Sequence, residues 1–383
     1  MSAASDAQTI RCRAAICWAP NQAITVEEVE VDPPKAGEVR IKVLANGICH
    51  TDLHLYTGHT TGSEVKYEYP CILGHEATGI VESVGDGVTS VAVGDHVMSL
   101  FNGQCRECIY CKNPNTNLCL KRSFDEPRMS DGTARFRFNG KPVYHFLGIS
   151  SLSEYTVISE IQVAKIDPKS RMDRACIFSC GFTTGYGSAV NVAKINSGSA
   201  VAVWGMGAVG LAAVYGACKA GANIIIGVDT NDSKITIAKQ IGCTHFVNPL
   251  KCEEDGKSTV DVIKQITNGL GLDFALECVG HIKPIEDAIE SIAPWGTVVA
   301  VGVYPGNKNL EISPNTFLTG KKLTGALFGG YKSRDCIPLL VDEYNRGEID
   351  VEPFFTGNIK LEEVDDAFQK LLKVKALRTV VLF

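Results

Sequence analysis

No block of lysine or arginine interrupts this sequence of 383 residues, and its 37 basic against 43 acidic residues leave a formal charge of −6. A nucleic-acid or anionic-membrane partner is therefore not expected. The opening MSAASDAQTIRCRAA has no apolar core, so a secretory leader is not expected either. The closing RTVVLF carries no peroxisomal, endoplasmic-reticulum or prenylation signal. Internal repeats and low-complexity linkers are absent. So is an unbroken membrane-length apolar run. SAVAVWGMGAVGLAAVYGACKAGA (199–222) comes nearest, but Gly205, Gly207 and Gly210 divide it into a strand, a turn and a helix. A soluble, cytoplasmic chain is the expectation.

Cysteine is not scarce. Fifteen is an odd number, and in a long chain without secretion signals it points to reduced thiols and metal binding rather than disulfides. Four of them stand in CRECIYCKNPNTNLC, as Cys105, Cys108, Cys111 and Cys119. Four thiolates on one short loop close a tetrahedral zinc shell, leaving no position for water or substrate, so such a site holds shape. An iron–sulfur cluster can also use four cysteines, but the loop lacks cluster-specific context.

The length exceeds what one core usually serves, so two domains are expected. Residues 38–46 alternate Val39, Ile41, Val43 and Ala45 with polar neighbours, as in a half-buried strand, and GIVESVG and DHVMSLF continue in that style. From about 185 the texture becomes strand–helix alternation: AVAVWG, NIIIGVD, HFVNP, DFALECVG, TVVAVG and LTGALFG. That pattern predicts a parallel sheet covered on both faces. The expected division is 1–184 with 326–383 as a β-rich domain and 185–325 as an inserted α/β nucleotide domain. Near the end, Leu361, Val364, Phe368, Leu371 and Leu372 predict an amphipathic helix.

GMGAVG places Gly205, Gly207 and Gly210 between a strand and a helix. The three allow a tight turn, backbone approach to a pyrophosphate and close helix–strand packing. Asp229, nineteen residues after Gly210, ends NIIIGVD, where a carboxylate can take ribose hydroxyls and repel a 2′-phosphate, favouring NAD over NADP. Lys234 is near enough to assist, although an exposed helix lysine is the plainer reading. A second metal set is dispersed: Cys49 in GICHTDLH, His75 beside Glu76 in GHE, and Cys180 in FSCGFTTGYG. Two thiolates and one imidazole leave a fourth position open, as catalytic zinc requires.

With these residues together, the chain resembles the zinc-dependent medium-chain alcohol dehydrogenases of the animal and plant type, from end to end. GHEATGIVESVG, the four-cysteine loop, CGFTTGYGSAV, GMGAVG and RTVVLF carry the resemblance. It implies an α/β fold class, a GroES-like catalytic domain plus a doubly wound Rossmann domain, with catalysis in the cleft between them. It also implies two zincs, NAD, small alcohol or aldehyde substrates and a homodimer. By resemblance, Cys49, His75 and Cys180 are the catalytic zinc ligands and Asp52 orients the histidine. Glu76 neighbours the metal, Thr51 and His54 relay the proton, and His50 and Arg378 contact the coenzyme pyrophosphate. Phe101, Phe124, Phe146, Leu147, Val303 and Leu327 form the pocket wall, which suits hydrophobic primary alcohols. Thr51, bulkier than serine, disfavours branching near the hydroxyl. His59, His96, His145, His245 and His281 are read as structural.

Two other readings compete. The sister class of glutathione-dependent formaldehyde dehydrogenases usually carries tyrosine where His54 stands, and acidic residues where Thr60 and Gly62 stand. Its arginine is matched only approximately by Arg122. A retired, non-catalytic relative would be free to lose Cys49, His75, Cys180, Thr51 and His54, all of which are present.

Overall fold

A computed structural model describes residues 8–58, 67–121, 127–306, 308–373 and 376–383. His59, Thr60, Gly62, Arg122 and Phe124 lie outside the described residues. The chain forms two units, Met1–Cys180 with Lys332–Phe383, and Gly181–Tyr331.

In the first unit, β1 (Ile10–Cys17), β2 (Thr25–Val31) and β3 (Glu38–Gly47) lead into helix α1 (His50–Thr57). Then come β4 (Cys71–Ile72), β5 (Glu76–Val84), β6 (His96–Ser99), the short helix α2 (Ile109–Lys112), β7 (Phe136–Phe138), β8 (Lys141–Val143), β9 (Tyr155–Ser159) and β10 (Val163–Lys165). One sheet runs β4-β1-β2-β7-β8. Strand β3 is buried on both faces rather than one, with only Lys42 exposed. The reason is its place inside the second sheet, between β5 and later strands, with β9 paired to it as well. Its polar Arg40 is satisfied there by Glu82, at 2.6 Å from Nε.

The second unit opens with helices rather than a strand. After α3 (Met172–Ala175) in the first unit, α4 (Gly181–Gly187) packs on α5 (Ala208–Lys219) so closely that a Cβ on Gly185 would stand 1.9 Å from the Val209 carbonyl oxygen. Asn191 Nδ2 donates to Gly329 O at 3.1 Å, tying residues near the other end of the unit to the same place. The unit thus extends beyond 185–325 on both sides, because strand texture marks the sheet and not the flanking helices. The sheet itself comprises β11 (Ala200–Trp204), β12 (Ile224–Val228), β13 (His245–Val247), β14 (Leu272–Glu277), β15 (Ile292–Ala300) and β16 (Lys322–Gly325). All pairings are parallel, in the order β13-β12-β11-β14-β15-β16. Strand order reverses at β11, which makes the carboxyl edge between β11 and β14 the switch point where ligands of such sheets bind. Ala202, Trp204, Ile226, Val228, Ala275 and Val298 fill one core cluster.

Returning to the first unit, the chain forms β17 (Phe355–Lys360) and β18 (Arg378–Leu382), which complete the order β10-β6-β5-β3-β18-β17. A helix over Val364–Leu372 buries Val364, Ala367, Phe368 and Leu371. Among the described residues no helix is long and apolar enough to cross a membrane, and 199–222 is indeed a strand, a turn and a helix.

Candidate metal and coenzyme sites

Strand β3 ends at Gly47, and Cys49 caps the N-terminus of α1. Asp52, in that helix's first turn, is completely buried. Its Oδ2 accepts from Cys49 N at 3.1 Å, while Oδ1 accepts from Gly74 N at 2.8 Å and lies 3.1 Å from His75 Nδ1. One carboxylate therefore positions two candidate ligands. Because Nδ1 is committed to Asp52, Nε2 is the nitrogen His75 can offer, and that buried atom makes no hydrogen bond. The ligand atoms of Cys49, His75, Glu76 and Cys180 all lie within 4.8 Å of one another, and all four residues are buried. Ser99 Oγ steadies this corner by donating to His75 O and accepting from Ala77 N, each at 2.9 Å.

Arg378 lies in the same cluster. Its Nη2 is 3.1 Å from Glu76 Oε1 and its Nη1 donates to Ile48 O at 2.6 Å. The guanidinium is almost wholly buried, and its Nε makes no hydrogen bond. Room for this pair exists only because residue 47 is glycine: a Cβ there would stand 2.4 Å from Glu76 Oε2 and 3.3 Å from Arg378 Cδ. Nothing in the sequence signalled that requirement.

Charge in the cluster favours a bound cation. The Cys180 thiol hydrogen-bonds Cys49, and with Arg378 and His75 nearby this holds Cys49 well below the usual thiol range, despite burial. Cys180 is pushed up in turn. Burial opposes a proton on His75, but Asp52 and Cys49 outweigh it and raise the imidazole well above its ordinary range. Burial also raises Glu76, against the pull of Arg378. A dication here must displace protons from thiol and imidazole, so its binding is coupled to proton release. Two thiols and one imidazole of fixed tautomer fit zinc with an open position.

Around these ligands, Thr51 Oγ1 lies 3.6 Å from Cys49 Sγ. His54, one helical turn further along α1, is half-buried, and His50 on the same helix is exposed. Phe101 and Phe146 meet the His75 ring edge-on, at centroid distances of 6.1 and 5.7 Å. Leu147 is half-buried in the same unit, whereas Val303 and Leu327 belong to the second unit and are 48% and 37% exposed.

The four cysteines of the loop also converge, with Cys105, Cys108, Cys111 and Cys119 offering sulfurs within 4.8 Å of one another. Backbone N–H groups point at the sulfurs: Cys108 N to Cys105, Cys111 N to Cys108 and Lys121 N to Cys119, each at 3.4 Å. Such donors favour thiolate, and those of Leu120 and Cys111 hold Cys108 down to about 6. The loop is fastened to helix Ser333–Asn345 by Arg106 Nε on Asp335 at 2.8 Å, by Gln104 Nε2 on the same carboxylate, and by Lys332 Nζ on Cys111 O.

At the switch point of the parallel sheet, Gly205 takes φ +87°, and a Cβ on Gly210 would stand 1.7 Å from Gly205 O. Over Gly207 a Cβ would meet nothing within 4 Å, so the backbone there is open to a ligand at the start of α5. Asp229, just past β12, accepts from Met206 N at 2.7 Å and from Asn231 N at 2.8 Å. Lys234 is buried rather than exposed, which removes its reading as a solvated helix lysine. Burial lowers its pKa, with Asp229 opposing.

A parallel sheet with a glycine fingerprint in one unit, and in the other two clusters of side chains able to hold a metal ion, point to a metal- and dinucleotide-dependent oxidoreductase. Residues 35–168 match the family model of the alcohol dehydrogenase GroES-like domain, and residues 208–345 that of the zinc-binding dehydrogenases. The chain is 44% identical to an alcohol dehydrogenase class-3 of Zea mays and 43% identical to one of Oryza sativa subsp. japonica, over all of this chain and 99% of each relative. Among solved structures it is similar to an alcohol dehydrogenase zinc-binding domain protein from Burkholderia ambifaria, with TM-score 0.88, 29% identity, and coverage of 98% of this chain and 100% of that one. It is likewise similar to benzyl alcohol dehydrogenase from Acinetobacter calcoaceticus, with TM-score 0.87, 29% identity, and coverage of 98% and 99%. The chain belongs to the zinc-dependent medium-chain alcohol dehydrogenases, oxidoreductases that work with zinc and NAD(H).

Proposed function

We propose that Cys49, His75 and Cys180 hold the catalytic zinc and that Cys105, Cys108, Cys111 and Cys119 hold a structural one. The observation carrying this is the buried His75 Nε2, left without a hydrogen bond and gathered with two thiols while Asp52 fixes the other ring nitrogen. Zinc in the open site supplies Lewis acidity that lowers the pKa of an alcohol hydroxyl, as it does that of water. Thr51 Oγ1, beside Cys49, would take the alcohol's proton while giving up its own, which passes through the nicotinamide ribose to His54 and solvent. Asp52 keeps His75 in the ligating tautomer, and Glu76, balanced by Arg378, stands by to approach the metal during ligand exchange. Gly205, Gly207 and Gly210 admit the pyrophosphate, with His50 and the remaining N–H of Arg378 as its cationic contacts. Asp229, assisted by Lys234, receives the adenosine ribose and selects NAD.

Phe101 and Phe146 beside His75 favour hydrophobic primary alcohols and their aldehydes. The class-3 names of the plant relatives favour the second reading, oxidation of a glutathione–formaldehyde adduct. NADH formation with hexanol, compared with formaldehyde plus glutathione, separates them. Robust turnover of hexanol and none of the adduct is expected, and the reverse would reassign the substrate. A homodimer is consistent with the exposed Trp295, Phe317 and Leu318 of the second unit, and fifteen cysteines, none in a disulfide, suit the reducing cytoplasm.

A further inference from the structure

Two buried cysteines outside both metal-ligand sets lie side by side. Cys17 ends β1 and Cys71 opens β4, and they stand directly opposite each other in the antiparallel pairing of these strands. Facing residues of such a pair have Cα atoms about 4.5–5.5 Å apart, inside the range a disulfide spans. Neither side chain is exposed, and both belong to the core cluster that also holds Ile48, Leu55 and Tyr56. Hydrogen bonding with Cys17, and burial, push the Cys71 thiol well above the usual range, so it rests protonated.

The chain on either side of the pair holds one helix. Beyond Cys17, Asn21 N donates to Tyr56 O at 2.7 Å and Asn21 Nδ2 to Thr57 O at 3.2 Å. Before Cys71, the Tyr69 hydroxyl donates to Leu55 O at 2.6 Å. Carbonyls of the last turn of α1, which that helix cannot satisfy itself, are thus held from both sides. At its other end α1 opens with Cys49 and Asp52, and Asp52 reaches Gly74 N and His75, shortly after Cys71. The pair therefore stands where β1, β4 and both ends of α1 are tied together. Strand β4 is two residues long, ends its sheet and follows the half-buried residues 67–70, so local opening there gives a small oxidant its route.

We propose that Cys17 and Cys71 are an oxidisable pair whose disulfide clamps α1 and, through it, the candidate ligands Cys49 and His75. The clamp rests on the reading of Cys49, His75 and Cys180 as zinc ligands; the pair itself does not. The oxidant is a hydroperoxide. One thiol, as thiolate, takes an oxygen from hydrogen peroxide and becomes a sulfenic acid, with release of water. The other attacks that sulfur and expels a second water as the S–S bond forms. Two protons and two electrons leave the thiols, and the peroxide is reduced to two waters. Because the two strands already pair in register, the bond stiffens the site without dismantling it.

The test treats zinc-loaded protein with graded hydrogen peroxide, up to the dose that oxidises the exposed Cys218, and maps the thiols by alkylation and peptide mass. A peptide joined through Cys17 and Cys71, reopened by dithiothreitol, is expected. Protein so joined should give up its chelator-labile zinc at least about three-fold more slowly, because release of a buried ion needs local opening that the bond restrains. Cys71→Ala, or Cys17→Ala should the first not fold, should form no such peptide and gain no such slowing. Cys17 and Cys71 both still free to alkylate once Cys218 is oxidised would overturn the pair. A joined peptide with unchanged or faster zinc release would overturn the clamp. Untreated protein that holds no labile zinc would instead overturn the ligand reading beneath it.

Discussion

A carboxylate shut off from water must find its donors inside the protein, and Asp52 finds three: the N–H groups of Cys49 and Gly74 and the Nδ1–H of His75. Asp52→Asn leaves the volume unchanged but replaces one acceptor oxygen by a donor, so His75 or Cys49 loses its support. Outer partners of this kind are worth 10- to 100-fold in metal affinity. Competition with a chelator should show a loss of that size at one site and none at the four-cysteine site. His145 shows the opposite case, a histidine kept neutral. It is buried, accepts from Arg135 N at 3.1 Å through Nε2, and is pushed down to about 3 by burial, with Arg135 adding to the effect. Below about pH 6.5 the unfolded chain takes a proton that the fold refuses until about pH 3. Stability is therefore lost as pH falls through that window, at about 1.4 kcal/mol per unit. His145→Gln cannot titrate. Between pH 7 and pH 5, thermal or urea unfolding of this variant should lose about 2 kcal/mol less than the wild type. Equal acid losses would mean that His145 is protonated in the fold. At this scale the sequence showed which residues have the right chemistry, and it reads His145, buried here on Arg135 N, as structural. It did not show pairings between distant positions. Arg378 and Glu76, read separately for pyrophosphate and metal, are partners in one buried ion pair that Gly47 makes room for.

Elements were legible where a period or a punctuation residue marked them. The alternation of β3 was visible, but burial of its second face was not, because that depends on which strands lie beside it. GMGAVG announced the turn from β11 to α5, since a positive φ and close helix–strand contact leave few residues but glycine. What the motif concealed is that Asp229, at the far end of β12, also accepts the N–H of Met206 within that turn. One carboxylate joins strand end to fingerprint. Asp229→Gly removes the ribose hydrogen bonds and the repulsion of a 2′-phosphate together. The ratio of kcat/KM for NADP over NAD should rise at least about ten-fold, since a hydrogen bond to a charged group is worth roughly 1.5–3 kcal/mol. An unchanged ratio would place the carboxylate away from the ribose.

For the whole molecule, the account turns on a contrast between two metal-ligand sets in one unit. Under the proposed assignment, Cys105, Cys108, Cys111 and Cys119, fastened to the fold through Arg106, Gln104 and Lys332, would close a four-sulfur shell, and the ion they hold is expected to leave slowly. Cys49, His75 and Cys180 would leave a fourth position through which a competing ligand can enter. Counting zinc per chain alongside NADH formation from a primary alcohol, before and after dialysis against a mild chelator, measures this contrast directly. Active protein should hold two zincs. After dialysis about one should remain with activity gone, and added zinc should restore both. Full activity in protein that holds a single zinc, or iron, or activity that survives loss of the labile ion, would contradict the account.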